Sequence, residues 1–141
     1  MKSWAGSVMP MLRWFIVLNC TVFTVAILLL PGKRNEFYDP SFASFFASFF
    51  TFSLGLWGIV EAIFHVFLFA TLTIVWQWAI VIYCNRRKSL LLAVLIAIAL
   101  AIGTEIAQYF VNRGSLLIDL LANFLGISFV VLAIGYRQIN R

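Results

Sequence analysis

Long apolar runs alternate with short polar ones along this chain, and the apolar runs have the length that crosses a bilayer. The first extends from Trp14 to Leu30 and stops at Pro31-Gly32, a pair that breaks helices. Three more cover about 56–83, 89–111 and 116–136. A transmembrane helix needs about 20 mostly apolar residues, so the pattern predicts four spans. Polar connections divide them: Lys33 to Asp39 followed by Pro40, then Asn85-Arg86-Arg87-Lys88, then Asn112-Arg113-Gly114-Ser115. Between the first two spans, Phe42, Phe45, Phe46, Phe49 and Phe50 recur at i, i+3, i+4, i+7, i+8, with Ser and Ala between them. That spacing is one face of a helix. The segment, about 41–52, is too short to cross, so it is expected to lie at the membrane interface. The expected fold is all-α integral membrane: four transmembrane helices plus a short interfacial Phe-rich helix, in a single domain over 1–141. Lys2 and Arg13 before the first run raise the question of a signal peptide. No small-x-small cleavage pattern follows, so the run reads as a retained helix.

Composition agrees with lipid as the solvent. The chain is 64% hydrophobic and 11% charged, against roughly half and a quarter in soluble domains. The net charge of +5 does not point to nucleic acid. Its one run of three, Arg86-Arg87-Lys88, sits between two apolar stretches, where basic residues orient membrane proteins. Lys2, Arg13, Arg86, Arg87, Lys88, Arg137 and Arg141 fall on one side of a four-span chain, and Lys33, Arg34 and Arg113 on the other. Seven against three places both termini in the cytoplasm. Cys20 and Cys84 have neither CxxC spacing nor a His neighbour and read as small buried hydrophobes.

Polar residues inside the spans narrow the picture further. Ionisable groups are costly within a bilayer and tend to face the bundle interior or a cavity. Glu61 and His65 are i, i+4 on the second span, Glu105 and Gln108 i, i+3 on the third, and Asp119 and Asn123 i, i+4 on the fourth. Each pair occupies one helical face. At ~1.5 Å per residue all three pairs lie ~5–12 Å from the outer ends of their helices, beside Arg113 in the turn. Small residues extend the same faces: Ala97 and Ala101 lead into Glu105, and Gly126 follows Asn123, a pattern that favours close helix packing. The candidate binding residues are therefore Glu61, His65, Glu105, Gln108, Arg113, Asp119 and Asn123, with Ala97, Ala101 and Gly126 as packing positions. No catalytic residue is assigned.

Residue types bound the chemistry. One His among carboxylates is a poor zinc set, since zinc sites draw on several His or Cys ligands; no metal and no cofactor is expected. Ser115, His65 and Asp119 carry no triad spacing. His65 beside a carboxylate suits general acid–base work. A proton-coupled pathway would need polar residues in the inner half of the bundle, where only Gln77 stands. The alternative to all of these is a polar lock, in which the same residues hold the helices together or to an assembly partner.

The third and fourth spans read Glu105-x-x-Gln108-x4-Arg113-x5-Asp119-x3-Asn123-x2-Gly126. This spacing resembles the VanZ-like family, small bacterial membrane proteins named after a teicoplanin-resistance protein. The family's second-span motif, Asp-Lys-x-x-His-Phe, has its counterpart in Glu61-Ala62-Ile63-Phe64-His65-Val66, with the His kept, Glu for Asp and Ala for Lys. The resemblance covers about 58–126. It implies a multi-pass protein of the bacterial cytoplasmic (inner) membrane and a link to the cell envelope and to resistance against lipid-tailed glycopeptide antibiotics. The expected partner is a membrane lipid or lipid-linked ligand: a lipid head group, a lipid-linked cell-wall precursor or a lipoglycopeptide. A second copy or another membrane protein is a further partner to consider. The alternative is a membrane enzyme that modifies such a lipid with His65 as acid or base. A proton-coupled transporter subunit comes behind both.

Overall fold

The structure is a computed structural model and describes residues 5–30, 56–111 and 117–139. Its four helices are α1 (Ala5–Leu28), α2 (Leu56–Ile80), α3 (Arg86–Phe110) and α4 (Leu117–Ile139). Each contains a stretch of 20 to 25 residues long and apolar enough to cross a membrane. The described chain is thus all-helical, with the elements of a multi-pass membrane protein. The Phe-rich segment and Arg113 lie outside the described residues.

Three helix limits differ from those the hydropathy pattern predicts. α1 begins at Ala5 rather than Trp14 and carries Pro10 inside it. α2 ends at Ile80 although Val81, Ile82 and Tyr83 are apolar; these form a turn closed by Tyr83 N–H donating to the Ile80 carbonyl at 2.9 Å. α3 begins at Arg86 rather than Ser89, because Asn85 caps it: the Asn85 side chain accepts from Lys88 N–H at 2.9 Å. An Asn cap satisfies one of the helix's first four amides, so the basic run is the first helical turn rather than the loop itself.

Pairwise contacts give the helix directions. Arg13 near the start of α1 donates to the Trp78 carbonyl late in α2 at 2.7 Å, with its guanidinium 4.5 Å from the centre of the Trp78 ring. Trp14 Nε1 donates to the Tyr83 hydroxyl at 3.0 Å and its ring meets Trp76 edge-on at 5.7 Å. At the other end of α1, the Gln108 amide late in α3 donates to the Leu28 carbonyl at 3.0 Å. His65 early in α2 meets Asn123 early in α4. Each helix therefore runs opposite to the one before it. The start of α1, the end of α2, the start of α3 and the end of α4 share one end of the bundle.

What is inside and outside is inverted relative to a soluble bundle. Large apolar side chains point outward on every helix: Phe15 and Val22 on α1, Phe67 and Ile74 on α2, Leu91 and Leu95 on α3, and Leu121, Leu125, Phe129 and Leu132 on α4. A soluble protein rarely exposes apolar patches beyond a few hundred Å², whereas a bilayer solvates them. Small residues line the interior of α3, with Ser89, Ala93, Ala97 and Ala101 buried at every fourth position and Glu105 next on the stripe. Ala97 and Ala101 pack with Leu28, Phe69, Leu72 and Ile127. α2 and α4 approach closely: a Cβ on Gly126 would collide with the Val66 carbonyl and stand 3.1 Å from the Ala70 nitrogen. Glycine is what allows the two backbones to come that near, and this brings His65 against Asn123, one turn before Gly126.

Candidate functional site

The polar residues converge at the end of the bundle where α2 and α4 begin and α3 ends. Asn123 stands at the centre and is fully buried. Its amide nitrogen donates to Glu105 Oε1 at 3.3 Å, and its amide oxygen lies 2.8 Å from His65 Nδ1. These two contacts fix the imidazole. With the amide nitrogen turned toward the carboxylate, the oxygen faces the ring, and an oxygen can only accept. Nδ1 therefore carries a hydrogen and donates. The order is Glu105 carboxylate, Asn123 amide, His65 imidazole, one group from each of α3, α4 and α2.

Two more carboxylates stand against this run. Glu61 lies one turn before His65, and Asp119 one turn before Asn123. One ligating atom from each of Glu61, His65 and Asp119 lies within 4.8 Å of the other two. His65, Asp119 and Glu105 are each at most 2% exposed, and Glu61 is half-buried. Helical spacing of four residues supplies both facings: i and i+4 lie one above the other.

Of the residues singled out from the sequence, Glu61, His65, Glu105, Asp119 and Asn123 thus come together. Gln108 is fully buried on the same helix as Glu105, but its amide nitrogen donates elsewhere, to the α1 carbonyl of Leu28. This makes it a link between α1 and α3. The amide oxygen of that side chain, Gln108 Oε1, is buried without a hydrogen bond. Arg113 belongs to the residues outside the description. The backbone carbonyl of Leu28 was not foreseen, since no side-chain pattern marks a carbonyl as a partner. The Glu61, His65 and Asp119 grouping was also not foreseen as a ligand set, because spacing within a helix does not fix rotation between helices.

Chemically, the arrangement offers an imidazole held at Nδ1, carboxylates beside it, and low-dielectric walls. It can hold a cation, accept hydrogen bonds from a hydroxylated or amine-bearing group, or exchange a proton at Nε2. Thr73 and Thr104, also buried, are satisfied within their own helices through Phe69, Leu100 and Ala101 carbonyls, so they add no free donor. Comparison of the chain with protein-family models, with curated proteins and with solved structures finds no match.

Proposed function

We propose that this chain is an envelope protein of the bacterial cytoplasmic membrane that binds the polar head of an amphiphile: a lipid head group, a lipid-linked cell-wall precursor or a lipoglycopeptide. One observation carries the reading: Glu105, Asn123 and His65, from three helices, form a continuous hydrogen-bonded run inside an apolar bundle, with Glu61 and Asp119 beside it. Buried carboxylates and an imidazole are expensive in a membrane, and this group is larger than a helix lock requires. In the orientation given by the basic residues, both termini are cytoplasmic and the cluster opens toward the outer leaflet. Arg113, which follows α3 and precedes α4 in the sequence, would meet an anionic part of the ligand. The resemblance to the VanZ-like pattern supports the envelope setting.

The test is lipid mass spectrometry on protein purified in mild detergent, wild type beside Glu105→Ala. The expected result is a lipid-class molecule retained by the wild type and lost from the variant. Equal lipid content in both, at equal folded fraction, would overturn the reading.

A second reading is favoured by one specific feature. His65 is held through Nδ1 by Asn123, which is itself held by Glu105, the base-and-orienter arrangement that acid–base catalysis uses. An enzyme would chemically change a lipid in reconstituted vesicles, and His65→Ala would abolish that change. A binder would retain the lipid unaltered.

A further inference from the structure

We propose that Glu61, His65 and Asp119 form a site for a divalent metal ion of the zinc class. The proposal stands on this ligand set and does not depend on lipid binding. It departs from the sequence expectation, which discounted metal because only one imidazole is available.

The geometry supplies what the sequence could not. Glu61 and His65 come from α2 and Asp119 from α4, and their ligating atoms lie within 4.8 Å of one another. Around a tetrahedral ion with bonds of ~2.0–2.2 Å, ligand atoms stand ~3.3–3.6 Å apart. Side-chain torsions can close the difference, about 1–1.5 Å, with the helices where they are. One imidazole and two carboxylates make a three-ligand set that leaves a position open for water or for an oxygen of a bound molecule.

The surroundings of His65 fit a ligand histidine. A metal-bound imidazole almost always donates its other ring N–H to an acceptor that fixes tautomer and orientation. His65 donates Nδ1–H to Asn123 Oδ1 at 2.8 Å, and Asn123 is aimed by its own bond to Glu105. Nε2 is then the nitrogen offered to an ion.

The chain contains one histidine, which makes the test unambiguous. Protein carrying a histidine-free affinity tag and 15N-labelled histidine is stripped with chelator in detergent and titrated with Zn2+. The expected result is one Zn2+ per chain by calorimetry, with the Nε2 resonance shifted and Nδ1 still protonated. Asp119→Asn and Glu61→Gln should each weaken binding at least ~10-fold, and Asn123→Ala, acting through the imidazole's orientation, by ~10–100-fold. Thr73→Ala, on α2 but facing the Phe69 carbonyl, should leave binding unchanged. Ring nitrogens that do not move at saturating Zn2+ would overturn the proposal and leave a protonic lock between α2 and α4. So would binding that survives both carboxylate substitutions. The wild-type spectrum decides the matter even if a variant fails to fold.

Discussion

Asn123 is the residue on which the polar cluster turns, because among the described residues it uses both ends of its amide between helices. Its nitrogen serves Glu105 and its oxygen serves His65. Removing the amide deprives two buried polar groups of a bond at once, at about 1–3 kcal/mol each. Gln108 has one such bond, to the Leu28 carbonyl, and ordinary hydrogen bonds are worth about 1 kcal/mol net. Asn123→Ala is therefore expected to destabilise the protein by at least twice as much as Gln108→Ala, measured by unfolding in detergent. Equal losses would mean that Asn123 makes no more of its position than a single interhelical bond. The types of these residues and their facing within each helix were legible in the sequence, since an apolar span makes every polar side chain conspicuous. Their pairing was not. Which of Glu105, Asp119 and Glu61 meets Asn123 depends on helix rotation, and a one-helix pattern carries no information on that.

At the scale of the elements, four helices were readable because a bilayer demands long apolar runs and the chain has four. Their ends were less readable, for local backbone reasons. Val81, Ile82 and Tyr83 are as apolar as the span before them, yet they turn; hydropathy reports the solvent and not the backbone. Arg86, Arg87 and Lys88 look like a loop and are a helix start, because the cap at Asn85 outweighs basic residues placed against the helix dipole. Close packing was legible where small residues recur, and Gly126 is where it matters most. Gly126→Ala places a methyl into the Val66 carbonyl, and forcing atoms into a packed interior costs about 1–3 kcal/mol. Gly135 on the same helix has nothing within 4 Å of an added Cβ, so Gly135→Ala is expected to be neutral or stabilising, by up to ~1 kcal/mol. Thermal unfolding of the two variants side by side checks this. A Gly126→Ala protein as stable as the Gly135→Ala one would mean that α2 and α4 are not in backbone contact.

At the scale of the molecule, the described residues form an alternating four-helix bundle whose first and last helices begin and end, respectively, at the same end. With basic residues concentrated at that end, both termini are expected in the cytoplasm. Reporter fusions after Arg141 and within the segment between Lys33 and Asp39 should report opposite sides, and a periplasmic C-terminus would move the polar cluster to the inner leaflet. The central claim concerns the cluster itself: polar groups of α2, α3 and α4 act as one unit. Asn123 stands between Glu105 and His65, donating to the first and accepting from the second. A double-mutant cycle on Glu105→Gln and His65→Ala, read as stability in detergent, tests the claim most directly. Residues in one hydrogen-bonded network couple by about 0.5–3 kcal/mol, and independent ones add within about 0.5 kcal/mol. The expected result is coupling above that limit, abolished when the cycle is repeated in an Asn123→Ala background. Additivity in the wild-type background would show that the two residues act separately and would contradict a shared site.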